Sequence, residues 1–432
     1  MPDSTVVVER ADRPAQLGES PPLPRRPARY LSVDAVRGVV MFVMLYVNDV
    51  AGVRGVPWWM KHYHPETANG MTFVDWVFGG FLFIVGVSIP IAFANRIARG
   101  TSLPRLLGHV LLRTAALLML GVFMVNGETG PDPKRIGWPD HLWETLVYFF
   151  AILAFLPVPS KHSGRVATRL SSSKSGAPVF VRILRAGAFA GFICLALVYR
   201  DDHGQVMQTS WWGILGLIGW AYLVASVVYL LLRRSRTALL LAMGALLAVF
   251  VLDQNKDFFG GWPLHGHVDY GTMLGSQAAI SVAGVVLGTL ILDPKLTSGR
   301  RLIWAGALTV LFALIAIAMY RPWGINKNDA TPAWCMICAA ITCALWIVLS
   351  LLIDAGGIVR PLRLFTEGGQ NVLFAYLVMP LFLHFIWWRG YEWYGHVGRI
   401  SVGAGITRSL MMAALVLWLA GIAKDRGMRL RL

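Results

Sequence analysis

Apolar runs of about 20 residues recur from Val39 to the C-terminus, each long enough to cross a hydrocarbon core ~30 Å thick as a helix. In lipid, backbone N–H and C=O groups must be paired within the chain, so such runs are read as transmembrane helices. The expected fold is therefore all-α, a polytopic membrane helix bundle of about 10–12 spans. Twelve candidate spans fall near 35–53, 73–94, 106–125, 142–158, 180–199, 211–232, 237–253, 270–292, 302–320, 333–353, 370–388 and 403–423. The composition agrees. Of 432 residues, 56% are hydrophobic and 14% charged, against roughly 25% charged in soluble domains. That argues against an ordinary soluble enzyme.

The net charge of +16 would suggest nucleic acid as a partner of a soluble protein. Here the cations flank apolar runs and form no stripe with aromatics, so the positive-inside rule explains them and no nucleic-acid partner is expected. With an even count of spans and the N-terminus inside, the large majority of the 39 Lys and Arg residues fall on inner loops. These include Arg96, Arg99, Lys161, Arg165, Arg233, Arg234, Arg300 and Arg360. The reading is N-in, C-in, in the inner (plasma) membrane. Residues 1–32 are expected to be a disordered cytoplasmic tail, with no short apolar stretch before a cleavage site, so the first helix would itself target the chain. A first four-helix segment (33–158) is followed by a serine-rich basic cytoplasmic linker (159–179) and by the remaining helices (180–432) of the same integral domain.

The four cysteines, Cys194, Cys335, Cys338 and Cys343, all sit in apolar runs and read as small buried hydrophobes. His265, His267 and Asp269 (HGHVD) give only a weak three-ligand hint, and no metal is expected. The outer loops are rich in Gly, Pro, Trp, His and Asn, a composition suited to ordered interfacial loops that roof a site. An aromatic belt explains most of the Trp and Tyr there.

Ionisable groups inside spans are costly and default to functional hypotheses. Asp34 and Arg37 are three apart at the start of the first span, either an interfacial ion pair or an anion site on the inner side. Asn48 and Asp49 end that span, with Asn48 about three turns above Arg37. Asp75 lies one turn into the second span and needs a partner, which His62 or His64 of the preceding loop could supply. A carboxylate fixes the tautomer of an imidazole and stabilises its cation, the arrangement used for general-base catalysis. Arg105, His109 and Arg113 share a face near the inner side. They read as headgroup-snorkelling cations or as a phosphate site. Asn326, Lys327, Asn371 and His384 either line a cavity or pair between helices.

The segment from Arg29 to Ala94 resembles the heparan-α-glucosaminide N-acetyltransferase family of transmembrane acyltransferases, especially its bacterial branch. RYLSVDAVRG (29–38), VN (47–48), KH (61–62), NGMTFVDWVF (69–78) and FLFIVGVSIP (81–90) carry it. WWGILGLIGWAYL (211–223) and GINKNDATPAW (324–334) are similar to that branch as well. The resemblance implies an acetyl-CoA-dependent acyltransferase. It would move an acetyl group from a cytosolic donor to a sugar or amino-sugar acceptor on the extracytoplasmic side. By motif, His62, Asn48 and Asp75 would be catalytic, with His64 as the alternative base. Arg37, Arg105, His109 and Arg113 would hold the donor's nucleotide at the inner face. His62 would act as general base or as a covalent acyl carrier, and Asn48 would hold the oxyanion. Expected partners are the lipid bilayer, acyl-CoA, the glycan acceptor and a second copy of the chain. A secondary transporter of a small solute is the alternative function, since twelve spans with both termini inside suit that class. A non-catalytic membrane subunit is a third.

Overall fold

A computed structural model describes residues 30–63, 65, 68–157, 177–255, 258–263 and 267–430. Nearly all of the expected tail and linker lies outside these residues, as does His64. Residues 31–432 form one compact unit. Its described part is helical and without strands. The helices used below are α1 (Leu31–Val50), α2 (Phe73–Ile97), α3 (Leu103–Thr129), α4 (Leu142–Ala154), α5 (Ala177–Val198), α6 (Ile214–Leu232) and α7 (Arg236–Asp253). They continue with α8 (Tyr270–Leu292, opening on a π-helical turn), α9 (Ser298–Trp323), α10 (Pro332–Ala355), α11 (Val372–Trp388), α12 (Trp393–Ile400) and α13 (Val402–Asp425).

Ten of these helices are long and apolar enough to cross a membrane, and α11 with α12 would make an eleventh despite a 102° bend between them. The chain is thus a multi-pass helical membrane protein. The run at 142–158 is the exception among the expected spans. Its helix α4 has 13 residues, about 20 Å at 1.5 Å per residue, which falls short of a hydrocarbon core. Pro157 stops it, because a residue before proline is pushed out of the helical region.

Helix burial sorts the bundle into a centre and a rim. In α8 89% of the apolar window is buried, against 17% in α5 and 22% in α7 and α9. The central seam is α2 against α8, which glycines bring to backbone contact. A Cβ on Gly86 would fall on the Ser281 carbonyl, and one on Gly284 on the Phe83 carbonyl. Ser281 Oγ also donates to Leu82 O across this seam at 2.9 Å. Small residues with a hydroxyl at the contact are how helices associate where lipid tails remove the hydrophobic drive.

All four cysteines are free, and Cys335, Cys338 and Cys343 are buried as expected, whereas Cys194 is exposed on α5. Asp269 accepts from Thr272 N at 2.7 Å as the helix cap of α8, and His265 of the HGHVD segment lies outside the described residues.

Candidate active site at the start of helix α2

The site is built on the start of α2. Thr72 is its N-cap and Asp75 the third helical residue, forming a capping box: Thr72 Oγ1 accepts from Val74 N at 3.2 Å and Thr72 N donates to Asp75 Oδ2 at 2.9 Å. Such a box satisfies orphan helix donors reciprocally. Thr72 Oγ1 also donates to Lys61 O at 2.7 Å, so the far end of the loop is pinned beside the cap. That places His62 directly over Asp75. His62 Nδ1 lies 2.7 Å from Asp75 Oδ1, and Tyr63 N donates to Oδ2 at 3.1 Å.

The pair is asymmetric. The Asp75 side chain is 3% exposed and that of His62 42%. An ionised carboxylate only accepts, so in this pair Nδ1 carries the proton and Nε2 keeps the lone pair, 3.5 Å from Lys327 Nζ. The remaining Asp75 oxygen is saturated by backbone donors, which fixes the carboxylate and thereby the ring.

The opposite wall comes from the turn between α9 and α10. Gly70 N donates to Ile325 O and Ile325 N donates to Asn69 Oδ1, both at 2.8 Å. Asn326 Oδ1 accepts from Asn328 N at 2.7 Å and Asp329 N at 3.0 Å, shaping the turn. Trp334 Nε1 reaches Asp75 O at 3.2 Å from the first turn of α10. The turn delivers Lys327, whose Nζ sits 3.2 Å from His62 Nδ1 and 3.5 Å from Nε2. Together these residues enclose a cavity of about 110 Å³, with His62, Asp75, Asn326 and Lys327 on its walls.

Of the sequence candidates, His62 and Asp75 are brought together. Asn48 is exposed at the end of α1 and is not on the cavity wall. Its neighbour Asp49 anchors a buried cluster instead. Arg408 Nη2 donates to Asp49 Oδ2 at 3.0 Å, Tyr394 OH to Oδ1 at 2.9 Å and Ser409 Oγ to Oδ2 at 2.5 Å. The Arg408 guanidinium also lies 4.4 Å over the Tyr394 ring. Arg37 donates to Asp34 at 2.9 Å and to Ser88 of α2 at 2.6 Å. Arg113 stacks on Tyr222 of α6 at 4.6 Å, while Arg105 and His109 are exposed on α3. These four are tied to different surroundings. Asn371 clamps α13 and the C-terminal segment through Ala420 O, Met428 O and Leu430 N, so of its two readings the pairing role holds. Lys327 is one of four weaker sequence candidates, with Asn326, Asn371 and His384, and its signal is a cation in a loop otherwise made of turn formers.

The chain is thus a polytopic helical membrane protein with a histidine–aspartate pair in a small cavity at one end of the bundle. Residues 29–172, which include that pair, match the family described as "Domain of unknown function (DUF5009)". Over 169 residues the chain is 35% identical to heparan-alpha-glucosaminide N-acetyltransferase of Homo sapiens, covering 37% of this chain and 24% of the relative. The same-named protein of Mus musculus is 36% identical over 141 residues, 30% of this chain and 20% of the relative. The chain spans about a quarter or less of the length of these curated relatives. The resemblance read from the motifs is thus supported over part of the chain.

Proposed function

We propose that the protein is a membrane-embedded acyltransferase. It takes an acetyl or other acyl group from a cytosolic acyl-CoA and delivers it to an amine or hydroxyl of a sugar on the extracytoplasmic side. The observation that carries this reading is the 2.7 Å contact between His62 Nδ1 and the buried Asp75 carboxylate, in a chain that is 35% identical over 169 residues to a named N-acetyltransferase.

In the proposed reaction, His62 Nε2 takes the proton of the acceptor as its nitrogen or oxygen attacks the thioester carbonyl. The tetrahedral adduct collapses with cleavage of the C–S bond, and the thiolate leaves with a proton from the imidazolium. Asp75 stabilises that transient cation without itself being protonated. Lys327, beside the ring, offers positive charge to the developing oxyanion. Asn48 would join that task if donor binding drew the end of α1 toward the cavity. The cavity suits the reacting groups alone, so the nucleotide must lie elsewhere. Arg37, Arg105, His109 and Arg113 are its proposed contacts at the inner end. This orientation, with both termini inside and the His62 loop outside, rests on the loop charges.

The test uses purified chain in nanodiscs with radiolabelled acetyl-CoA and a panel of amino sugars. His62→Ala should lower transfer by about 10²–10⁴-fold, the usual worth of a positioned base. Transfer at the full rate in His62→Ala, and also in the variant with His64→Ala added, would remove the assignment.

A further inference from the structure

A second cavity, of about 330 Å³, lies between the end of α3, the start of α4 and helix α11, and shares no wall residue with the His62 cavity. His141, Glu144 and His384 line it, and one potential ligand atom from each lies within 4.8 Å of the other two. His141 Nδ1, Glu144 Oε2 and His384 Nδ1 are all buried, and none has a hydrogen-bond partner. Glu144 is only 8% exposed. Buried polar atoms are almost always partnered, and an unpaired carboxylate oxygen in an apolar wall is expensive. An unpartnered carboxylate oxygen beside two imidazoles, each also with an unpartnered ring nitrogen, fits a positively charged occupant.

We propose that His141, Glu144 and His384 bind a divalent transition metal, zinc(II) foremost. Two imidazoles and one carboxylate are a borderline donor set. Calcium and magnesium prefer all-oxygen shells, and copper(I) prefers sulfur. Three protein ligands with the remaining position open is the arrangement of zinc sites that exchange a fourth ligand. Ligand atoms at ~2.0–2.1 Å from a tetrahedral metal stand about 3.4 Å apart, so the side chains close by little more than an ångström.

The surroundings hold the rings for this. Trp387 packs against both imidazoles with ring centres 5.4 Å away, and Tyr148 stacks on His384 at 5.6 Å. His141 is fixed at the start of α4 in the left-handed region (φ 62°), with its carbonyl accepting from Thr145 Oγ1 at 2.6 Å. Non-glycine residues are held there only when their surroundings demand it, most often at functional positions. His141 and Glu144 sit three apart at the head of α4, so both reach one side of it. His384 arrives from α11, and the metal thus ties the short helix to the bundle.

The experiment uses the full chain carrying a tag without histidines. It is purified in detergent, dialysed against zinc and then metal-free buffer, and assayed by mass spectrometry of the elements. Wild type should retain close to one zinc per chain. Cobalt(II) in its place should give the intense visible bands of a four-coordinate site. Glu144→Gln and His384→Ala should each weaken zinc binding at least ~100-fold, more than loss of an outer-shell partner. His267→Ala, an exposed histidine, should change nothing. Wild type that holds well below one equivalent, or equal retention in Glu144→Gln and His384→Ala, would overturn the proposal. If a variant fails to fold, the wild-type stoichiometry and the cobalt spectrum still decide.

Discussion

Replacing Asp49 by alanine should damage the bundle more than any other single polar change at the end of α1. Asp49 is 7% exposed and the Arg408 side chain 12%. The substitution strands a cation on α13 with no counter-charge and leaves the Tyr394 hydroxyl without its acceptor. Ser409 keeps its bond to Gly405 O at 3.0 Å, so its loss is small. Breaking one side of a buried ion pair costs about 3–5 kcal/mol. At an unfolding entropy of ~2.1 cal/mol/K per residue, a chain of 432 residues loses about 1 °C per kcal/mol, so the apparent midpoint should fall by roughly 3–5 °C. The assay is size-exclusion recovery of detergent-solubilised protein after heating, at one fixed heating rate because unfolding is irreversible. Replacing both partners, Asp49→Ala with Arg408→Met, removes both charges and should recover ~2 kcal/mol or more relative to the sum of the singles. A shift below about 1 °C in Asp49→Ala, or strict additivity in the double variant, would refute a coupled pair whose cost comes from charge.

At the proposed active site, Asp75→Asn keeps the backbone-bonded oxygen but turns an amide N–H toward His62. The imidazole must then accept at Nδ1 and carry its proton on Nε2, so acetyl transfer should fall about 10²–10⁴-fold with little change in thermal midpoint. Lys327→Met should lower the rate while Lys327→Arg retains part of it, measured in the same transfer assay. At the α2–α8 seam, Gly284→Val should cut the yield of monodisperse protein, since inserted carbon in a packed contact costs about 1–3 kcal/mol or more. Gly244→Ala on α7, where a Cβ meets nothing within 4 Å, should be neutral or stabilising, because alanine outranks glycine in a helix by ~1 kcal/mol. For the orientation, Trp58→Cys should react with a membrane-impermeant thiol reagent in intact cells and Gly100→Cys only in inverted vesicles.

The spans were legible because hydrophobic length is a local property, and the run at 270–292 coincides with the observed Tyr270–Leu292. The run at 142–158 misled because its apolar stretch continues past Ala154, where the approach to Pro157 already ends the helix. The His62–Asp75 pair was legible for the same local reason, since only a short loop separates an unpaired carboxylate from the nearest imidazoles. Lys327 and His384 were legible only as residues that line a cavity or pair between helices, and their partners were not. Both are joined to their partners by long-range packing, which leaves no spacing to read. Arg408 was visible as a cation inside an apolar run, but nothing nearby in the chain names Asp49 as its counter-charge.

The glycine contact between α2 and α8 limits how the molecule can move. Carbonyls of each helix occupy the space where the other would carry its first side-chain carbon, so neither rod can slide or tilt past its mate without breaking backbone packing. The rocking of one half against the other that carries solutes across membranes needs compliance at such a midline. The His62 loop is mounted on one of these locked rods, so the frame beneath it is stationary. That favours passing a chemical group through the protein over ferrying a whole molecule.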